Sequence, residues 1–389
     1  MKHLFLAFLF FTCSGFAQNI DDNFITFPYV QLPFIPIEED LRFVRFEVAT
    51  NVESANQDSL SIQKVKQANA AAIYKQNLST WYTQMSLLQQ QENSSGLSQA
   101  ANYPPKPSLE LIPEPILNTI DVGSLLSTAE GLTISGFEKG NNGLLISFQI
   151  MPPRDVKVYF KRTGSAAATI YSYSCSYYLP AMMTVRNNDG SIVLEKMIGN
   201  SKRTKSLGKY KSIYAFLDWY MKNKTVVYKE IENEGRAASV QSAKGLLESQ
   251  LGFVNKTRRA EVYSVKKYKD YDYTDVSLAY NKTNEGLLKL GENADRSNAY
   301  ETLREARKMW NSILEESNLQ NKKERINPKV SAIIWCNIAE ISVWMGDFNQ
   351  VDVQVQNIKN SGVFKAKNHI AGETNFYNDQ KTRWKANFE

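Results

Sequence analysis

The sequence predicts an α+β protein, with a β-rich first half that carries one long helix and a helical second half. Three observations lead there. Short runs between residues 43 and 198 alternate apolar and polar side chains with period two. Residues 58 to about 92 contain neither Pro nor Gly, and the runs after residue 204 repeat apolar side chains at helical spacing. With 389 residues and 43% hydrophobic content, the chain can bury substantial cores, and two units are expected. The expected boundaries are a leader at 1–17, a β-rich domain at 18–203, a helical domain at 204–360 and a polar C-terminal tail at 361–389.

The leader reads "MKHLFLAFLFFTCSGFAQN". Lys2 supplies the positive start, Leu4 to Phe11 an apolar run too short to span a bilayer, and Gly15-Phe16-Ala17 a small-x-small ending. This is the order of a secretory signal peptide, with cleavage expected between Ala17 and Gln18. The alternative is a lipoprotein leader acylated at Cys13, although Phe10, Phe11 and Thr12 fit that pattern poorly. The leader ending and the Asn-, Lys- and Tyr-rich body resemble exported envelope proteins of Bacteroidota. That resemblance implies a place in the periplasm or at the surface of a Gram-negative cell. Loss of Lys2 leaves 45 basic residues against 40 acidic ones, so the charge falls from +6 to +5. Such a mild excess does not argue for nucleic acid, and in the envelope it suits an anionic glycan or lipid surface.

Taken in order, "FPYVQLPFIPI" holds Pro28, Pro33 and Pro36 and is expected to be extended, at an edge. "LRFVRFEVAT" alternates as a half-buried strand, with Val44, Phe46 and Val48 inward. The helix over 58–92 is expected to be capped by Asp58 or Ser59, with Ile62, Val65, Ala72, Ile73, Trp81, Met85 and Leu88 recurring at roughly helical spacing. Packing along its own domain is the expectation, and an arm for a partner the alternative. A Pro/Ser-rich linker at 93–107 follows. "GLTISGFEKGNNGLLISFQI" reads as a hairpin turning at Lys139 to Gly143, with Leu144, Ile146, Phe148 and Ile150 on one face. "DVKVYFK" should send Val156, Val158 and Phe160 inward, and Asn188-Asp189-Gly190 marks a further turn. In "YSYSCSYY", Tyr171, Tyr173, Cys175 and Tyr177 share one face, and Ser172, Ser174 and Ser176 the other. A core role for the tyrosines is expected; Tyr171, Tyr173 and Tyr177 are also candidates for stacking on sugar rings.

In the second half, "IIWCNIAEISVWMGDFNQV" places Trp335, Ile338 and Ala339 on one helix, Gly346, Asp347 and Phe348 at a turn, and Val351 on the next helix. These residues resemble a tetratricopeptide unit. Ser342 departs from the pattern, no proline closes the unit, and "NLQNKKERINPK" is longer than a regular repeat allows. The preceding helix, with Leu303, Ala306 and Trp310, could belong to an earlier unit. The resemblance spans about residues 296–360 and implies a protein-binding or scaffold role without catalysis.

Chemical signatures are few. Once the leader is removed, His369 is the last histidine, and Cys175 and Cys336 are the only cysteines. Ser-His-Asp triads without His369, His-rich zinc sites and Cys-rich zinc sites are therefore excluded, and two separate buried thiols are expected. No Gly-rich phosphate loop is present, and no cofactor or metal is expected. Ser206/Lys209 and Ser264/Lys267 repeat a Ser-x-x-Lys spacing used by some hydrolases, but chance is the preferred reading. Asp270, Asp272 and Asp275 lack the Gly and Glu of a calcium loop and read as helix capping. Basic clusters at Lys202/Arg203/Lys205, at Arg258/Arg259/Lys266/Lys267/Lys269 (with Tyr263 and Tyr268 interleaved) and at Lys322/Lys323/Arg325 read as solvated faces. The expectation is thus an exported, non-enzymatic envelope protein that binds protein partners and no nucleic acid. A glycan-binding module is the alternative, and a Ser/Lys hydrolase the third.

Overall fold

The computed structural model describes residues 19–95, 104–164, 169–267, 269–291 and 296–389. The expected leader, with Cys13, Ala17 and Gln18, and Tyr268 lie outside the described residues. The chain begins with β1 (Asn19–Gln31), β2 (Phe43–Thr50), α1 (Val52–Ser95) and α2 (Val122–Glu130). Strands β3 (Glu138–Lys139), β4 (Leu144–Ile150), β5 (Arg154–Thr163), β6 (Ile170–Tyr178), β7 (Ala181–Arg186), β8 (Ile192–Ile198) and β9 (Arg203–Tyr210) follow. Then come α3 (Ile213–Gln241), α4 (Ala243–Leu251), β10 (Val254–Lys267) and α5 (Thr274–Leu288). Helices α6 (Ser297–Leu314), α7 (Pro328–Trp344), α8 (Phe348–Ser361) and α9 (Phe364–Phe388) complete the chain. The α+β class holds, with β-structure and one long helix first and mostly helices after.

Two compact units divide the chain differently from the linear boundary at 203/204. One combines the residues up to Glu38 with Ile134–Gly136 and Leu247–Glu389; the other holds Glu39–Thr133 and Phe137–Leu246. The expected boundary falls at the start of β9, and the first strand belongs with the last helices.

The first unit is built on a two-stranded ribbon. β1 and β10 pair antiparallel from Ile20↔Val265 to Gln31↔Val254. Pro28 sits inside β1 opposite Thr257, which is tolerated because each strand of a ribbon is an edge. Ile25, Phe27 and Tyr29 of β1 join Ala260, Val262 and Trp310 in one buried core with the helices. Helix α7 starts at Pro328, and the Asn327 side chain caps it by accepting the N–H groups of Lys329 and Val330. Every residue from Val330 to Trp344 is buried, and the Trp344 ring meets Phe27 edge-on at 5.3 Å. Gly346 turns the chain at φ +70°, where a Cβ would lie 2.1 Å from Trp384, so both conformation and space require glycine. Asp347 then caps α8 by accepting the Gln350 N–H at 3.1 Å. The segment expected as a polar tail is helix α9, which buries Ala366, Ile370 and Tyr377; its sparse apolar positions hid it among charged ones.

The second unit holds two sheets. A five-stranded sheet has the order β3-β2-β4-β7-β8, and a three-stranded sheet the order β5-β6-β9. The expected hairpin at 139–143 is not formed, because β3 and β4 both run parallel to β2, one on each side of it. Gly143 allows this crossing: a Cβ there would lie 2.0 Å from the Phe43 carbonyl oxygen. Leu144, Ile146, Phe148 and Ile150 are buried as expected, and the turn at Asn188-Asp189-Gly190 joins β7 to β8. In β5, Val156 and Val158 are half-buried, but Phe160 is 50% exposed, since the sheet is covered only where α3 reaches it.

Candidate functional site

Helix α1 begins six residues before the expected start. The Thr50 hydroxyl accepts the Val52 N–H at 3.0 Å, so Thr50 rather than Asp58 or Ser59 caps it. At 1.5 Å per residue, its 44 residues extend about 65 Å. A segment returns antiparallel along one side. Asn56 Nδ2 donates to the Asn118 carbonyl at 2.9 Å, and the Asn118 N–H donates to Asn56 Oδ1 at 3.0 Å. Gln63 donates to the Pro113 carbonyl at 3.4 Å and Trp81 Nε1 to the Pro104 carbonyl at 2.8 Å. The lengths agree: 25 helical residues from Asn56 to Trp81 rise roughly 38 Å, and 14 polyproline-like residues from 118 to 104 span roughly 43 Å.

The expected packing of α1 along its own domain is corrected. Among its described side chains, only Val52 and Ala70 are buried. Ile62, Val65, Ile73 and Leu87 are 57%, 60%, 58% and 54% exposed. At about 100° per residue, these four fall within a sector of roughly 80°, beside the face that holds the returning segment. Ile62 and Ile73 wall a groove of about 830 Å³ whose other sides are Ile112, Pro113 and Pro115 of the returning segment and Tyr228 of α3. Lys66, Glu110 and Glu114 stand on its rim. Burial pushes the Tyr228 hydroxyl up to about 12, so it lines the groove as a neutral donor.

The tyrosine face of β6 looks inward. Tyr173, Cys175 and Tyr177 are buried with Phe216, Val227 and Ile231, and the Tyr173 ring stacks on Phe216 at 3.6 Å. The buried Tyr173 and Tyr177 present no open ring face to a sugar, and the half-buried Tyr171 packs at the edge of this cluster, edge-on to Phe160 at 5.7 Å. The resemblance-bearing residues gather in the first unit's core, with Ile338, Ala339 and Phe348 buried alongside Trp335 and Val351. The outer edge of β10 is closed against α7. Asn337 Nδ2 donates to the Tyr263 carbonyl at 2.8 Å while its Oδ1 accepts the Tyr263 N–H at 2.9 Å. Helix α7 therefore offers no open concave face.

The basic clusters disperse once folded. Arg258 points into the core, where it makes two 2.7 Å bonds to Glu340 and one of 2.9 Å to Glu373. Glu340 also accepts from Trp344 Nε1 at 2.9 Å. Burial alone would raise the Glu340 carboxyl, but the Arg258 charge and hydrogen bonds outweigh it and hold the group below its usual range. Arg259 lies over the Phe24 ring, and Lys266 pairs with Asp21 at 3.0 Å. Lys269 donates to the Lys323 carbonyl, and Arg325 binds Asp275 and Glu316. Lys205 pairs with Glu230 and Glu234 of α3. Sequence reasoning gave no sign of the Arg258–Glu340 pair, whose members stand 82 positions apart.

The remaining candidates do not assemble into a reaction centre. Ser206 accepts the Gly208 N–H at 3.5 Å and Ser264 accepts from Asn23 at 3.2 Å; no hydrogen bond joins either serine to its lysine. Asp272 accepts from the Thr274 N–H and hydroxyl at the start of α5, and Asp275 is held below its usual range by hydrogen bonds from Arg325. His369 lies within α9, with Nδ1 3.1 Å from Glu261 and its ring edge-on to Tyr263. Cys175 and Cys336 are separate buried thiols, both raised by burial. Among the described residues, no group of three His, Cys, Asp or Glu side chains could hold a metal ion, and no helix is long and apolar enough to cross a membrane. In comparisons with known proteins, no family model and no curated protein matches this chain.

Proposed function

We propose that this chain is an exported, non-enzymatic scaffold subunit of the bacterial envelope that binds a protein partner along α1. The observation that carries the reading is the exposed stripe Ile62, Val65, Ile73 and Leu87 beside an apolar groove. Burying one such side chain contributes roughly 1.5–3 kcal/mol, so the four together leave on the order of 6–12 kcal/mol to be gained from a partner. A shallow groove walled by isoleucine, proline and tyrosine suits an amphipathic helix with anchors at every third or fourth residue. The leader pattern supports export, and the tetratricopeptide resemblance at Trp335 to Val351 supports a scaffold role, with its hairpin packed on the ribbon as a platform.

The test is affinity recovery from envelope extracts of the native organism. The unaltered chain should bring down a stoichiometric protein, and Ile62→Glu with Ile73→Glu should abolish that recovery without shifting the melting temperature. Recovery unaffected by the double substitution removes α1 from the proposal. Mass spectrometry of native material should find Gln18 as the first residue; an intact Met1 in a cytosolic fraction overturns export.

A further inference from the structure

The three-stranded sheet has a second face, opposite the buried tyrosines, and the strand register defines it residue by residue. Across β5, β6 and β9, the rows are Lys157–Ser176–Thr204, Tyr159–Ser174–Ser206 and Lys161–Ser172–Lys209. A bulge between Tyr173 and Ser174 in the pairing with β9 puts Lys209 on the same face as Ser206. The grid measures about 13 Å along the strands and about 10 Å across them. The outer-strand side chains Lys157, Tyr159, Lys161, Thr204, Ser206 and Lys209 are all exposed, Ser172 and Ser174 between them are half-buried, and Ser176 is buried.

The two faces treat their cations differently. On the covered face, Lys205 is matched by Glu230 and Glu234 of α3. On the open face, Lys157, Lys161 and Lys209 pair with no acid among the described residues, and the grid itself contains none. Three fixed positive charges thus stand at three corners of a field of serine and threonine hydroxyls.

We propose that this open face binds an acidic polysaccharide, with Lys157, Lys161 and Lys209 meeting its carboxylate, phosphate or sulfate groups and the hydroxyls of Ser172, Ser174, Thr204 and Ser206 meeting its sugar hydroxyls. The charges select an anion. Serine and threonine both donate and accept, which matches the mixed donors and acceptors of a sugar. No aliphatic side chain is available to enter a lipid bilayer or to form an apolar protein interface. Tyr159 alone is too little aromatic surface for successive bases to stack on, whereas one ring is enough to lie under one sugar. The glycan-binding alternative read from β6 thereby moves from the tyrosine face to the serine face. It is independent of partner binding at α1.

The test uses the full mature chain with heparin and polygalacturonate as acidic probes, and with dextran, phosphatidylglycerol vesicles and oligothymidylate as comparison ligands. At about 0.15 M salt, binding to both acidic polysaccharides is expected, weakening as salt rises. Lys157→Gln, Lys161→Gln and Lys209→Gln together should weaken it by roughly tenfold or more, as loss of three charge contacts implies. The charge-matched set Lys64→Gln and Lys75→Gln on α1 with Lys359→Gln on α8 should leave it unchanged, as should dextran competition. Ser174→Val with Ser206→Val should weaken binding with every charge retained, and circular dichroism should show each variant folded. Absence of binding to either probe overturns the proposal, as does equal loss from both lysine sets. Tighter binding of vesicles or oligothymidylate through the same lysines overturns it too.

Discussion

Helices α7 and α1 use their residues in opposite ways. Fifteen of the 17 residues of α7 are buried, whereas α1, with 44, buries Val52 and Ala70 among those described. Ile333, Ile334, Trp335, Cys336, Ala339 and Val343 surround the axis of α7, so every direction needs cover, and the ribbon, α6, α8 and α9 supply it. Along α1, glutamine, asparagine, lysine and serine interrupt the apolar positions, leaving two narrow stripes. One is met by the returning segment; the other faces outward. The number of directions in which a helix is apolar, rather than its length, decides whether it becomes core.

This contrast can be broken first at the ion pair that fastens the ribbon to α7. Arg258→Met should cost about 3–5 kcal/mol in denaturant unfolding, because Glu340 is left charged, buried and unpaired. The pH profile should change with it. Glu340 is depressed below its ordinary value of 4.5 in the folded chain, so its contribution is present above that pH and lost as pH falls through the lower folded value. Without Arg258, burial raises the carboxyl instead, and this loss on acidification should disappear. A smaller effect is expected at Asn337→Leu, which strands the Tyr263 N–H and carbonyl, at roughly 2–4 kcal/mol by the same measurement. The smallest belongs to α1: Ile73→Ala should change stability by less than about 0.5 kcal/mol, as for other exposed positions. A cost above 2 kcal/mol there would mean that the stripe is already packed within the protein.

Local pattern was legible where one face of an element meets one core. The alternations at Val44/Phe46 and Leu144–Ile150, and the turn chemistry at Gly346 and Asp347, were read correctly for that reason. Pairing across long separations was not. Nothing in Ile25, Phe27 and Tyr29 names Val262 as a neighbour, and the glycines at 140 and 143 suit a parallel crossing as well as a hairpin. Helix α2 drew no expectation, because its nine residues are too few to show a helical period. For the candidate surfaces, sequence gave the residues of both faces of β6, but only the packing of α3 shows which face is closed. The exposure of Ile62 and Ile73 was likewise a tertiary fact, invisible to helical periodicity alone.

The β1–β10 ribbon also imposes a schedule. β1 leaves the ribosome more than 200 residues ahead of the strand it must join, carrying Ile25, Phe27 and Tyr29 with nothing to lie against. The intervening unit can fold in that interval, but β1 stays a bare, sticky edge until Val254–Lys267 arrives. A chaperone that shields Asn19–Gln31 would therefore act while the chain is being made, and have no hold on the finished molecule.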